Sequence, residues 1–310
     1  MALGVSVVVP SHQGEQRLPT LLAALADQET HRKWELIVVL DGSSDASAEV
    51  VKGWTHRLPI TLIDRRDNRG RSATLNEGFA RTKFEVLIRC DDDLVPAPGW
   101  MESFGRTVEQ DPTMGVIGLY RNEYPATPYA RVYGRYADAR FRSEAYEFPK
   151  DRRWTYWAGN CAIHRDYWDL VGEYDAETFA SYGYEDIDWG YRLIQSGAGI
   201  SLVPELETAH NVAAVTTEIR LKRAFQSGLA KARFEHKHRL DEPSRKGHDP
   251  WTLAVRAGSQ LRGQQAYEQV GRRIDGLLNR VPDSGGRRII DLAIEAAHES
   301  GHRAGVAVAW

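Results

Sequence analysis

The sequence predicts an α/β fold in which a mostly parallel sheet is flanked by helices and followed by a helical C-terminal extension. In the first 90 residues, short β-branched runs alternate with stretches whose apolar residues recur at helical spacing. This alternation is typical of right-handed strand–helix–strand crossovers, which build a parallel sheet. After about residue 216 the chain shows helical patterns, interrupted by a polar linker at 241–250. We therefore predict a first domain at 1–215 and a helical extension at 216–310.

Four strands are predicted before the first acidic cluster. They cover residues 5–9, 36–40, 60–63 and 85–90, and helices are predicted between them at 18–25, 46–54 and 72–81. A further helix is predicted from residue 185 to Gly197, and the extension contains helical patterns at 218–239, 251–280 and 286–304. No G-x-G-x-x-G stretch follows the first strand and no P-loop sequence occurs. These absences exclude the usual dinucleotide fold.

Three consecutive carboxylates, Asp91, Asp92 and Asp93, come directly after the fourth predicted strand. Adjacent like charges repel one another, and a bound cation relieves that repulsion. Open α/β sheets bind ligands at the carboxyl ends of their strands, and carboxylate oxygens suit Mg²⁺ or Mn²⁺. The other interpretation of such a run is a solvated acidic turn.

Composition excludes several classes of protein. The net charge of −3 gives no general attraction to nucleic acid, so we predict no nucleic-acid partner. The two cysteines, Cys90 and Cys161, favour a reducing compartment over a disulfide framework. No basic region precedes the first apolar run, and no apolar stretch approaches the ~18 residues that span a bilayer. We therefore predict a cytoplasmic protein.

Six short motifs lie at 6–11, 39–45, 68–78, 91–93, 157–160 and 171–188. In type and order they resemble the motifs of family 2 glycosyltransferases, and the resemblance covers about residues 4–212. Leu40 and Leu75 replace an Asp and an Arg that are usual in the family. The resemblance implies a Rossmann-like GT-A fold. It also implies an inverting transferase that moves a sugar from a nucleotide-diphosphate sugar, most often a UDP-sugar, to a hydroxyl acceptor.

The resemblance also implies a role for individual residues. It implies a metal site at Asp91, Asp93 and His210, a nucleotide-sugar site at Pro10, Ser11, Asp41, Asn68, Arg71, Asp91 and Asp92, and an acceptor site at Trp157, Gly159 and Asn160. Asp186 is the implied general base, and Glu185 orients it or binds the acceptor. Charge that builds on a leaving diphosphate calls for Mn²⁺ or Mg²⁺, and an attacking hydroxyl calls for a base.

Several of these roles have a structural alternative, and Asp92 could have a structural role instead of a ribose contact. Asp41 could only stabilise the turn that follows its strand, and Asp186 could only cap a helix. His210 could be a hydrogen-bonded core residue.

Two segments remain open to more than one interpretation. The aromatic and basic segment 119–157 is either an acceptor-binding loop or a surface cover. The basic helix near 218–239 is either a solvated face or a peripheral contact with the inner face of a membrane. The acceptor is accordingly a saccharide, a lipid-linked hydroxyl or a small molecule, and the helices after residue 216 pack on the first domain or form a homo-oligomer.

Two other functions compete with transfer. A catalytically degenerate GT-A domain that binds sugar or acts as a scaffold is consistent with Leu40 and Leu75. A sugar nucleotidyltransferase is less consistent, because the glycine-rich, basic N-terminal loop that binds a triphosphate is missing.

Overall fold

The computed structural model describes residues 2–180, 183–211, 214–240, 247 and 249–308. The chain divides into two compact units. The first consists of Met1–Asn122, Arg142–Ala180 and Glu185–Asn211, and the second of Glu123–Phe141, Ser181–Tyr184 and Val212–Trp310. The predicted domain boundary at residue 215 stays a prediction.

The first unit contains all ten strands of the described residues. They are Val5–Ser11 (β1), Trp34–Asp41 (β2), Ile60–Arg65 (β3), Val86–Cys90 (β4), Leu94–Val95 (β5), Met114–Ile117 (β6), Tyr120–Asn122 (β7), Asn160–His164 (β8), Gly199–Leu202 (β9) and Thr208–His210 (β10). The central sheet has the order β3-β2-β1-β4-β8-β6-β9, and a small sheet has the order β5-β10-β7. In the central sheet only β8 runs antiparallel to its neighbours, β4 and β6. The predicted mostly parallel α/β sheet is therefore confirmed.

β1 continues past the proline at which its predicted range stopped. Pro10 pairs with Val39 of β2. On the other side β1 pairs with β4 only as far as Val8. Pro10, which has no amide hydrogen, therefore lies beyond the end of that ladder, where a proline is tolerated.

Helices cover both faces of the sheet. Those of the first unit are Leu18–Ala26 (α1), Ser47–Trp54 (α2), Arg71–Phe79 (α3), Trp100–Gln110 (α4), Arg165–Val171 (α6) and Glu185–Gln195 (α7). Because strand side chains alternate, Val7 and Val9 face a core that includes Leu21 and Phe104, whereas Val8 faces a core that includes Trp189. The sheet therefore has an apolar core on each side, which holds its strand ends in fixed positions.

The second unit is helical. Its long helices are Thr217–His238 (α8), Pro250–Gly258 (α9), Gln264–Leu277 (α10) and Asp283–Val308 (α11). The predicted helix at 218–239 is confirmed, but the single pattern at 251–280 is two helices separated at Gly263, whose φ is +82°. Among the residues described, no helix is both long and apolar enough to cross a membrane.

The segment 119–157, which the sequence left open as an acceptor-binding loop or a surface cover, is largely helical. It contains β7, a π-helix at Ala130–Gly134, the helix Arg135–Glu147 (α5) and a 3₁₀-helix at Lys150–Tyr156. The apolar side chains of Tyr129, Val132 and Tyr133 pack in the core of the second unit. Burial in that core, which the local sequence pattern does not report, accounts for the order of this part of the segment.

Candidate active site

The candidate active site lies at the carboxyl edge of the central sheet. Asp41 ends β2, and Asp91 follows the last residue of β4 directly. The antiparallel β8 begins at this same edge, since Cys90 pairs with Asn160 and the amide of Asp91 donates to the carbonyl of Gly159 (2.9 Å). The carboxyl ends of the parallel strands β2 and β4 and the start of the antiparallel β8 therefore lie at one edge of the sheet. Several predicted site residues lie together there.

Arg89 connects the first carboxylate of the acidic cluster to the start of α7. Its Nε donates to Asp91 Oδ1 at 2.9 Å and its Nη2 to Asp91 Oδ2 at 3.3 Å. Its Nη1 donates to Asp186 Oδ1. Burial raises the pKa of Asp91, but the nearby charges of Arg89 and Arg71 outweigh burial and hold that pKa below its usual value. Asp91 is therefore an anion that is already paired.

Glu185 and Asp186 occupy the first turn of α7 and differ in accessibility. The side chain of Asp186 is 18% exposed, whereas that of Glu185 is 6% exposed and lies 3.5 Å from Arg71 Nη1. Burial, followed by the charge of Asp186, raises the pKa of Glu185 to about 7. Near neutral pH Glu185 therefore readily holds a proton.

Asp92 and Ser11, both predicted to contact the nucleotide sugar, contact each other. Asp92 also accepts two hydrogen bonds from Arg17, from Nε at 2.9 Å and from Nη2 at 2.8 Å. Burial raises the pKa of Asp92 in spite of these bonds. The two side chains join β1, the start of α1 and the end of β4, so they shape the site as structural contacts.

Asp41 fixes the turn that precedes α3. Its two oxygens accept the amide hydrogens of Arg69 (2.8 Å) and Gly70 (2.9 Å). Asn68 Oδ1 also accepts the Gly70 amide hydrogen, at 3.1 Å. Gly70 has a φ of +84°, which favours glycine, and the helix starts at Arg71. Asp41 therefore stabilises this turn, although not the turn at residues 42–44 that the sequence suggested.

Asp93 and His210 form a separate pair. His210 Nε2 lies 3.1 Å from Asp93 Oδ2, and His210 Nδ1 lies 2.6 Å from Asn122 Oδ1. An Nδ1 hydrogen donated to Asn122 leaves the Nε2 lone pair facing the Asp93 carboxylate, and a proton or a cation between them satisfies both. Across the described residues, no three His, Cys, Asp or Glu side chains cluster as a metal centre. Of the three predicted metal ligands, Asp93 and His210 therefore lie together, whereas Asp91 is paired with Arg89.

The predicted acceptor residues form part of the protein interior. Trp157 is 3% exposed and stacks on Trp189 with ring centroids 4.9 Å apart. Asn160 is completely buried, accepts from Trp100 Nε1 and donates to two backbone carbonyls. A Cβ on Gly159 would lie 2.1 Å from Asp91 Cγ. We therefore correct the prediction for the side chains of Trp157 and Asn160, which are packed in the interior next to the site. Gly159, which has no side chain, leaves room for Asp91.

Three residues of this region were not predicted from the sequence. Arg89 and Arg17 pair with the acidic cluster, and Tyr120 accepts the amide hydrogen of Gly159 (2.6 Å) and stacks on His210. A signal for Arg89 exists in the sequence, because it is a charged residue inside an apolar strand. Arg17 and Tyr120 come from distant parts of the chain and give no comparable signal.

Comparison with known proteins identifies the family. The model of glycosyl transferase family 2 matches residues 6–170. The chain belongs to this family. It is 24% identical over 238 residues to the hyaluronan synthase of Pasteurella multocida, a match that covers 67% of the chain and 24% of the synthase. The chain thus spans about a quarter of the length of that protein.

Two further similarities cover most of the chain. The validoxylamine A glucosyltransferase of Streptomyces hygroscopicus subsp. limoneus is 26% identical, with 88% of the chain and 68% of that protein covered. The mannosyltransferase PcManGT of Pyrobaculum calidifontis, solved in complex with GDP-Man and Mn²⁺, superposes with a TM-score of 0.63 at 19% identity. That superposition covers 97% of this chain and 87% of the mannosyltransferase. The GT-A fold implied by the sequence is therefore confirmed.

Proposed function

We propose that the protein is an inverting glycosyltransferase that moves a sugar from a nucleotide-diphosphate sugar to a hydroxyl group of an acceptor. The observation that carries this proposal is the arrangement of two carboxylates around one buried arginine. Arg89 contacts Asp91 at the end of β4 and Asp186 at the start of α7. A donor-side carboxylate and a candidate base therefore share one strand edge, and membership of family 2 supports the class of reaction.

The proposed reaction is a single displacement. The acceptor oxygen forms a bond to C1 of the sugar as the bond from C1 to the phosphate oxygen breaks. The electron pair of the broken bond remains on the leaving diphosphate, and the proton of the acceptor hydroxyl moves to the Asp186 carboxylate. One displacement inverts the configuration at C1, so no second carboxylate nucleophile is needed.

Arg71 is the residue that we assign to the diphosphate. It is 45% exposed, and it starts α3, where the amide groups of a helix amino terminus favour an anion. The charge of Asp91 raises the pKa of Arg71 further above its usual value, so its cation is permanent. Asp41, Asn68 and Pro10 would act on the nucleotide by shaping the neighbouring strand ends and the turn before Arg71.

We assign a divalent ion, Mn²⁺ or Mg²⁺, to Asp93 and His210. Both side chains are partly exposed, at 23% and 13%, and they present an oxygen and a nitrogen 3.1 Å apart. Two protein ligands suit an ion that shares its other positions with substrate phosphates. When bound, such an ion neutralises charge on the leaving diphosphate. Asp91 could join this set only by giving up contacts with Arg89.

Donor and acceptor are proposed by class. The family favours a UDP-sugar, although the structurally similar mannosyltransferase was solved with GDP-Man, so both bases need testing. For the acceptor we keep a saccharide, a lipid-linked hydroxyl and a small molecule, because the predicted acceptor side chains are buried and select none of them.

A second candidate function is a catalytically degenerate domain that binds a sugar or acts as a scaffold. Leu40 and Leu75, which stand where the family usually has an Asp and an Arg, are both fully buried. Both side chains pack in the apolar cores, so neither position offers a polar group to a ligand. This observation keeps the alternative in competition.

The test is turnover of a donor panel. The purified chain is incubated with UDP-glucose, UDP-N-acetylglucosamine or GDP-mannose, in Mn²⁺ or in EDTA, and release of UDP or GDP is measured. We expect metal-dependent release with at least one donor. Stabilisation of the protein by UDP or GDP without any release would favour the scaffold, and the absence of both would contradict the two proposals together.

A further inference from the structure

Arg89 is a buried cation in the middle of the central sheet. Its side chain is 1% exposed, and its guanidinium lies 5.9 Å from the ring of Tyr174. Trp157, Trp168 and Trp189 line the same small cavity. A buried cation is costly unless it is paired and its N–H groups are hydrogen-bonded. The partners of Arg89 therefore determine why an arginine is tolerated there.

Both carboxylate partners of Arg89 belong to the candidate active site. One side of the guanidinium binds Asp91 through Nε and Nη2, and Nη1 binds Asp186. A guanidinium is planar, and its donors have fixed directions, so two carboxylates bound to it have fixed relative positions. The start of α7 is thereby connected to the end of β4.

The repulsion between the Asp91 and Asp186 carboxylates explains why a cation is needed between β4 and α7. Asp91, Asp186 and Glu185 all lie around Arg89 and Arg71. Next to a buried guanidinium, like charges repel more strongly than they do in bulk water. With Arg89 removed, the first turn of α7 would gain from moving Asp186 away from Asp91 and toward solvent.

We propose that Arg89 is a positioning residue, which holds Asp186 in place relative to Asp91 and thereby sets the position of the base at the site of transfer. This inference rests on the proposed function of Asp186 as the base. It assigns no contact with substrate to Arg89, whose effect on the reaction passes through Asp186.

The competing interpretation is an ordinary buried ion pair that only stabilises the fold. The chain offers a matched control for it. Arg32 is 4% exposed and also bridges two carboxylates, Glu102 (3.0 Å) and Glu109 (2.9 Å). It precedes β2, so it lies at the amino edge of the sheet, away from the strand ends that carry the site.

The experiment compares Arg89→Met, Asp186→Asn and the double variant with Arg32→Met in the full chain. Turnover is measured with the three nucleotide sugars named above, and UDP binding in Mn²⁺ is measured by calorimetry. We expect Arg89→Met to lower kcat by ~10–100-fold, which is at or below the lower end of the ~10²–10⁴-fold contribution of general base catalysis, because the base is displaced and not removed. The double variant should stay within about 3-fold of Asp186→Asn, because the two changes remove the same contribution. Arg89→Lys should recover part of the loss, and Arg32→Met should keep kcat within about 3-fold even if it unfolds at a lower temperature.

The proposal would be overturned if the fold-losses in kcat of Arg89→Met and Asp186→Asn multiplied in the double variant. It would also be overturned if Arg89→Met and Arg32→Met had the same kcat. Failure of the proposed function is seen separately, as a wild-type chain that is inert with all three donors. In that event the same variants are compared by thermal unfolding. With an inert wild type the inference fails together with the proposed function: non-additive changes in Tm would then support only the competing ion pair, and additive changes would contradict even that pair.

Discussion

At the scale of single residues, the three adjacent aspartates have three different partners. Asp91 pairs with Arg89, Asp92 with Arg17 and Asp93 with His210. Their mutual repulsion, which led the sequence analysis to a bound cation, is therefore relieved largely by the side chains of the protein itself. Asp93 keeps the strongest case as a metal ligand, because it is the most exposed of the three and its partner is an imidazole.

Because Asp91 and Asp93 have different partners, replacing each of them by Asn should affect different properties of the protein. Asp91→Asn removes an anion from a buried arginine and should lower the free energy of unfolding by ~1–3 kcal/mol. Asp93→Asn should cost much less stability but weaken the binding of UDP in Mn²⁺. Urea unfolding and calorimetry on both variants measure the two effects. Undiminished metal-dependent binding by Asp93→Asn would remove Asp93 from the proposed metal site.

Asp186→Asn tests the base directly. The amide keeps the size of the side chain and cannot accept the proton, so kcat should fall by ~10²–10⁴-fold. The dissociation constant of UDP should change little, because the proposed contacts of the nucleotide lie on other strand ends. Glu185→Gln is the control, and if it abolishes turnover while Asp186→Asn does not, the roles of the two residues are reversed.

Glu185 should make stability depend on pH. Its pKa is raised from an ordinary value of 4.5 to about 7, so the folded state holds a proton that the unfolded state has already lost. Stability is therefore lost as the pH rises from about 4.5 through 7. Glu185→Gln should gain stability over the wild type as the pH rises through this range, by on the order of 3 kcal/mol at most. Chemical unfolding at pH 5 and pH 8 measures it, and an unchanged difference at the two values would contradict the prediction.

At the scale of elements, close contacts of helices depend on glycines that the sequence pattern does not explain. α8 and α11 approach each other at Gly228 and Gly301, where an added Cβ would lie 2.0 Å from a backbone carbonyl oxygen of the facing helix. Backbone atoms cannot move aside as a flexible side chain can. The pairing of these two helices therefore requires glycine at both positions.

Gly228→Ala should consequently destabilise the second unit, by ~1–3 kcal/mol or more, since it overpacks a backbone contact. Gly276→Ala in α10 is the matched control, because an added Cβ there meets nothing within 4 Å. That substitution should be neutral or stabilising by up to about 1 kcal/mol, as expected for alanine in a helix. Thermal unfolding of both variants decides the point, and equal Tm values would contradict the steric argument.

At the scale of the whole molecule, the two compact units are not consecutive in sequence. Glu123–Phe141 belongs to the second unit, together with the chain from Val212 onward. Tyr129, Val132 and Tyr133 of that segment pack with Leu221 of α8 and with residues of α10 and α11.

A fragment of residues 1–215 should therefore fold poorly, although it matches the predicted first domain. It would retain Tyr129, Val132 and Tyr133 and lose the helices that bury them, so it should expose an apolar surface and aggregate. Size-exclusion chromatography and circular dichroism of the fragment and the full chain measure this. A monomeric fragment with cooperative unfolding would instead support an independent domain at 1–215.

The sequence by itself determined the α/β fold, the positions of the first four strands and of several helices, and the family. These features follow from local periodicity, from polar residues at strand ends and from motifs that keep their order along the chain. The first four strands, β1 to β4, and the helix at Glu185–Gln195 were predicted for these reasons.

Only the tertiary structure decided which site residues contact one another. Asp91 and Asp186 meet through Arg89, Ser11 and Asp92 contact each other, and Trp157 is enclosed in the core. The physical reason is that burial and ion pairing join residues distant in sequence, whereas periodicity and motifs describe only the chain near each residue. For the same reason the antiparallel β8 and the helices in 119–157 could not be predicted, since both depend on neighbours that the fold supplies.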